Sequence, residues 1–223
     1  MINKKQVIYI AGDSTAETKK LEDKPMSGWG EYLQDYLNSS VAVDNHAMGG
    51  RSTKSFLDEK RLDAIINQIK EDDYLIIQFG HNDQKIEDPT RYTDAFGTYQ
   101  ENLRLYINKV REKKAHPILV SSISRRAYKD GKIDRESLGD YPAAMKEVAK
   151  KEDVFYIEGT HLSADYLDEL GIEQSKDLFL HLPPNTYPNY PEGLVDNTHF
   201  SEKGGKVFAE IIGKELKSKL EER

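Results

Sequence analysis

Five short, continuous apolar runs, each followed by a stretch with helical spacing or by a loop rich in turn residues, constrain this chain more than any other feature. They are residues 7–11 (Val-Ile-Tyr-Ile-Ala), 41–43 (Val-Ala-Val), 74–79 (Tyr-Leu-Ile-Ile-Gln-Phe), 117–121 (Pro-Ile-Leu-Val-Ser) and 154–157 (Val-Phe-Tyr-Ile). Apolar residues recur at helical spacing in Trp29, Tyr32, Leu33, Tyr36 and Leu37, in Leu62, Ile65, Ile66 and Ile69, and in Leu103, Tyr106, Ile107 and Val110. A last amphipathic pattern carries Val207, Phe208, Ile211, Ile212 and Leu216. A strand that is apolar on both faces must be covered on both, and parallel neighbours require a crossover between them. The expected class is therefore α/β: a three-layer fold with a five-stranded parallel sheet flanked by helices on both faces. At 223 residues the chain fits a single domain, residues 1–223.

In such sheets, ligands gather where the strands end. Ser14, Gly50, Asn82 and Ser122 each follow a candidate strand and fall at that edge. Alone, Gly12-Asp13-Ser14 also reads as a turn, Met48-Gly49-Gly50-Arg51-Ser52 as a strand-to-helix connection, and Asn82-Asp83 as a loop cap. Their shared edge joins them to Asp196-Asn197-Thr198-His199, just before the last helix. A serine hydroxyl becomes a useful nucleophile when a neutral imidazole takes its proton and a carboxylate orients that imidazole. Ser14, His199 and Asp196 fit those roles, with the last two three residues apart in a single helical or irregular turn. The Ser14 N–H, the Gly50 N–H and the Asn82 amide are candidate donors to the oxyanion that forms at an attacked carbonyl.

Composition narrows the chemistry further. With no cysteine there is no thiolate nucleophile, disulfide or cysteine-bound metal. A net charge of -7 argues against nucleic acid as a partner, and no apolar run approaches the roughly 18 residues of a membrane span. Lys4 and Lys5 precede an apolar stretch shorter than the roughly 7–15 residues of a secretory core. A cytoplasmic location is the expectation.

Two loops, 83–93 and the Pro-, Tyr- and Asn-rich 181–196, are expected at the rim of the cleft. Arg51, Lys54, Arg91, Arg125 and Arg126 could face it and pair with carboxylates of a ligand, and Tyr187 and Tyr190 could stack on a ligand's rings. Trp29 reads as core. His81 reads mainly as a residue packed against the nucleophile turn, with substrate contact as a second role. Arg51, His81 and Tyr187 are the substrate-binding candidates.

The four blocks bearing Ser14, Gly50, Asn82 and His199 resemble those of the SGNH (GDSL-like) hydrolase superfamily. More narrowly, Tyr9-Ile10-Ala11-Gly12-Asp13-Ser14-Thr15, Gly28-Trp29-Gly30-Glu31-Tyr32-Leu33, Gly49-Gly50-Arg51-Ser52, Phe79-Gly80-His81-Asn82-Asp83 and Asp196-Asn197-Thr198-His199-Phe200-Ser201 resemble the rhamnogalacturonan acetylesterase family. That resemblance implies a flavodoxin-like sheet, a Ser-Asp-His triad and removal of acetyl groups from pectic sugars through an acetyl-enzyme, without metal or cofactor. The expected partner is an acetylated oligosaccharide or polysaccharide. Rival readings are a broader lipase, thioesterase or arylesterase, a metal-dependent phosphoesterase using Asp13, His81, Asn82, Asp83, Asp196 and His199, and a non-catalytic sugar-binding module.

Overall fold

The computed structural model describes residues 6–221, so Lys4 and Lys5 lie outside it. The strands are β1 (Gln6–Gly12), β2 (Met26–Ser27), β3 (Val41–Asn45), β4 (Tyr74–Gln78), β5 (His116–Val120), β6 (Tyr128–Lys129), β7 (Lys132–Ile133), β8 (Phe155–Ile157), β9 (Phe179–Leu182) and β10 (Leu194–Ser201). The α-helices are α1 (Thr53–Asp58), α2 (Arg61–Ile66), α3 (Thr98–Glu112), α4 (Tyr141–Lys151), α5 (Gly159–Leu170) and α6 (Glu202–Glu221). The five expected strands form one sheet, all parallel, in the order β3-β1-β4-β5-β8. The chain reverses its direction of travel across the sheet between β1 and β4, the place where a crevice opens beyond the strand ends.

Alternation within the strands explains the three layers. Ile8 and Ile10 of β1 and Ile76 of β4 face one core, packed by Leu167 of α5 and by Phe208, Ile212 and Leu216 of α6. Tyr9 and Ala11, with Leu75 and Ile77, face the other, packed by Phe56, Leu62 and Ile65 of α1 and α2 and by Leu103, Ile107 and Met145 of α3 and α4. Every residue of β4 is buried, so its apolar run has no polar face to alternate with.

The structure departs from the periodicity in one helix. Residues 29–37 form two 3-10 turns, Trp29–Glu31 and Leu33–Tyr36, and not an α-helix. The segment is pinned to the loop after β1: Trp29 N–H donates to Thr15 O at 2.9 Å, and a Cβ on Gly30 would lie 2.3 Å from Ala16 O. Only glycine permits that approach. Trp29 itself is fully buried, in agreement with the core reading.

Beyond the main sheet, β2, β10 and β9 make a small antiparallel sheet beside α6. Phe179, Phe200 and Phe208 meet there, the last two with ring centroids 4.6 Å apart. The buried Phe200 ring anchors the end of β10, one residue past His199.

Candidate active site

Ser14 lies two residues beyond β1 in a turn stitched by Asp13. The Asp13 carboxylate accepts from Thr15 N–H at 2.9 Å and from Thr15 Oγ1 at 2.7 Å. Trp29 Nε1–H donates to Gln78 Oε1 at 3.0 Å, and Thr15 Oγ1 lies 3.0 Å from the same oxygen, which ties the turn to the end of β4. Asp13 is fully buried. Burial alone would raise its carboxyl, yet it sits below the usual range because the His81 imidazole and the Thr15 donors outweigh that cost. His81 Nδ1 stands 3.5 Å from Asp13 Oδ2. Only 4% exposed, His81 does pack against the nucleophile turn, and it also lines the cleft.

His199 reaches Ser14 from the far end of the chain. Its Nε2 lies 3.0 Å from Ser14 Oγ, and its Nδ1 lies 2.7 Å from Asp196 Oδ2. Asp196 Oδ1 also accepts from the backbone N–H of Thr198 at 2.7 Å and of His199 at 3.0 Å. Those bonds offset the burial that would raise the carboxyl and bring it down to about 2. The trio's local frame is a strand irregularity and not a helical turn. Asp196 pairs with Leu180 and Phe200 with the adjacent Phe179, so the three residues between them bulge out of the β9–β10 ladder. The bulge allows a carboxylate and an imidazole three positions apart to face each other.

The donors converge on the same cleft. Ser14 and Gly50 lie outside helices and strands, and their backbone N–H groups have no acceptor among the described residues. Gly50 has φ +77°, a left-handed conformation that a side chain would strain. Asn82 Nδ2 donates to Arg51 O at 3.0 Å, which commits one of its two N–H groups and leaves the other for a ligand. Ser52, the residue before α1, caps that helix through reciprocal bonds with Ser55 and so fixes the turn carrying Gly50.

The cleft encloses about 460 Å³ and is lined by Ser14, Lys19, Gly49, Gly50, His81, Asn82, Lys85, Arg91, Arg125, Asp196, Thr198 and His199. A larger cavity of about 540 Å³ lies at the opposite edge, among the first residues of β5 and β8.

Two substrate-binding candidates lie outside the lining of this cleft. Tyr187 does not reach Ser14: it lines a separate cavity with Pro25, His181 and Lys203 and pairs with Tyr190, whose hydroxyl donates to Asp23 O at 2.9 Å. The 181–196 stretch connects β9 to β10 through a loop over 183–193, which bonds to Leu21 O and Lys24 O through Asn189. Arg51 lines an adjoining cavity of about 430 Å³ that shares Gly50 and Arg91 with the cleft, and its guanidinium is held by Glu59 and by Gly49 O at 2.7 Å. Lys54 bonds to Pro89 O, and Arg126 turns away to Ser175, Asn197 and Ile172. Sequence reasoning missed Lys19, Lys85 and Thr198. Lys85 had a signal, since it falls within the 83–93 loop already placed at the rim.

A hydroxyl, imidazole and carboxylate aligned beside unpartnered N–H groups, at the carboxyl edge of a β3-β1-β4-β5-β8 parallel sheet, have the geometry of a serine hydrolase. The chain belongs to the family of GDSL-like lipases and acylhydrolases, whose signature matches residues 8–212. It is 43% identical over 212 residues to the rhamnogalacturonan acetylesterase RhgT of Bacillus subtilis, covering 95% of this chain and 90% of that protein. To the probable rhamnogalacturonan acetylesterase YesY of the same organism it is 38% identical, covering 94% and 92%. Among solved structures it superposes on the YxiM protein of Bacillus subtilis with a TM-score of 0.81 at 26% identity, covering 96% of this chain and 56% of that one. The acetylxylan esterase Axe2 of Geobacillus stearothermophilus shares the fold, with a TM-score of 0.67 at 15% identity over 95% of this chain and 94% of that one.

Proposed function

We propose that this chain removes acetyl groups from pectic saccharides of the rhamnogalacturonan type, with Ser14 as nucleophile, His199 as general base and acid, and Asp196 as the group that orients and stabilises the imidazolium. The observation that carries the mechanism is the unbroken line from Asp196 Oδ2 through His199 to Ser14 Oγ, with contacts of 2.7 and 3.0 Å. His199 Nε2 takes the hydroxyl proton as Oγ attacks the acetyl carbonyl. Negative charge moves onto the carbonyl oxygen, where the Ser14 N–H, the Gly50 N–H and the free Asn82 N–H receive it. Collapse breaks the bond to the sugar oxygen, which takes the proton from His199. A water, deprotonated in turn by His199, then cleaves the acetyl-serine and restores the hydroxyl.

Two observations support an acetyl group on a sugar over a lipid ester. The relatives at 43% and 38% identity carry the rhamnogalacturonan acetylesterase name. The cleft, moreover, has no Val, Leu, Ile, Met, Phe, Tyr or Trp in its lining, a polar set of side chains that suits a saccharide better than a long acyl chain. The test compares acetate release from acetylated rhamnogalacturonan fragments with release from acetylated xylan, alongside acetyl and octanoyl 4-nitrophenyl esters. Preference for the pectic glycan and the acetyl ester is expected. Faster octanoyl turnover, or full activity in Ser14→Ala, would overturn the reading.

A further inference from the structure

Four cationic side chains, Lys19, Lys85, Arg91 and Arg125, border the cleft of a chain whose net charge is -7. Two are neutralised in place: Lys19 pairs with Glu17, and Arg91 Nε lies 2.6 Å from Asp88 Oδ2. The other two have no carboxylate partner among the described residues. Arg125 Nη1 donates to Ser137 O at 2.6 Å. With its amide oxygen turned toward the guanidinium, Gln84 accepts from Arg125 Nη2 at 2.5 Å and from Nη1 at 2.8 Å. These partners are uncharged. Burial pushes the Arg125 guanidinium down even though the anions Asp13 and Asp196 act in the opposite direction.

A half-buried guanidinium whose hydrogen-bond partners are all uncharged is incompletely neutralised, and an arriving anion stabilises it. Gln84, which cradles Arg125, is followed directly by Lys85, so one loop after β4 supplies both the cradle and the second cation. A planar fork and an ammonium lining one cleft suit the two oxygens of a carboxylate. The nearby acids do not compete: Asp196 is engaged by His199, and Asp13 is sealed beneath the nucleophile turn.

We propose that Lys85 and Arg125 form a carboxylate subsite that grips a uronic acid unit of the substrate while Ser14 attacks the acetyl ester on the same saccharide. The inference rests on the acetylesterase reading and adds to it the two residues that read the substrate's charge.

The experiment uses one acetylated uronate oligosaccharide in two forms, native and with its carboxylates reduced to primary alcohols. The readout is the ratio of their kcat/KM values. The native enzyme should favour the charged form at least ~10-fold, the factor that a single charge-assisted hydrogen bond supplies. Lys85→Gln, a change at a partly exposed loop residue, should bring the ratio to within about 3-fold of unity. Lys85→Arg should keep most of the preference, and added salt should erode it. Equal rates on the two forms in the native enzyme, or an unaltered ratio in Lys85→Gln, would overturn the subsite while leaving acetyl removal intact. Acetate release from neither form would overturn both readings together.

Discussion

Replacing Asp83 by Asn should stabilise this protein at alkaline pH and hardly at all in mild acid. Asp83 is fully buried next to Asn82. One carboxylate oxygen accepts from Thr53 N–H at 3.0 Å, Thr53 Oγ1 at 2.5 Å and Thr93 Oγ1 at 2.9 Å, while the other has no partner. Burial raises the carboxyl from 3.8 to about 7; the threonine donors oppose the rise and the Asp13 anion adds to it. Between those two values the folded chain holds a proton that the unfolded chain has released. Stability from this group is therefore complete below about pH 4, falls as pH rises, and levels off above about pH 7. A shift of about 3 units corresponds to ~4 kcal/mol, of which ~3 kcal/mol is lost between about pH 5 and pH 8.5. Asparagine keeps the accepting oxygen, places an uncharged amide where the partnerless oxygen stands, and does not titrate. Urea unfolding of the native protein and Asp83→Asn at those two pH values measures the difference directly. The variant's advantage should grow by ~3 kcal/mol from the lower pH to the higher. A gap that stays constant would mean that Asp83 is ionised or hydrated throughout, and the reasoning would fail.

Other substitutions test the remaining supports. Asn82→Ala should lower kcat ~100-fold or more with little change in KM, because its free N–H acts on charge present only in the transition state; steady-state kinetics on an acetyl ester reads the split, and a rise in KM alone would contradict it. His81→Leu should destabilise by ~3 kcal/mol by leaving the buried Asp13 carboxylate without its imidazole, as measured by urea unfolding at neutral pH. Gly204→Ala should destabilise by ~3 kcal/mol, because a Cβ there would stand 1.9 Å from Leu178 O and drive α6 off the segment it packs against; a melting temperature equal to that of the native chain would refute this.

What the sequence discloses and what it hides follow from the same physics. The central strands were legible because a strand buried on both faces must be apolar along its length, and β4, buried throughout, is the clearest; the edge strands β3 and β8, only partly buried, carry shorter apolar runs. Ser14, Gly50 and Asn82 were legible because α/β topology brings strand ends to one edge whatever lies between them, whereas His199, in β10 of the small antiparallel sheet, was legible from its spacing to Asp196. Helices α4 and α5 left a weaker trace: Ala144, Ala149 and Ala164 bury little side chain, so they hardly mark an apolar face. The Asp196–His199 bulge was hidden, since spacing alone admits a turn or a strand irregularity and pairing with β9 decides between them.

Charge was the least legible property. Arg51, Lys54, Arg91, Arg125 and Arg126 look alike in a sequence, yet their positions are set by which oxygens the fold leaves within reach. Arg51 meets Glu59, Lys54 and Arg126 find carbonyls away from the cleft, and Arg91 meets Asp88. Of these five, only Arg125 enters the cleft without an acid to answer it. Selectivity toward a charged substrate would therefore arise by subtraction: the fold satisfies most of its cations internally, and those left over beside the nucleophile are the ones that can select a ligand.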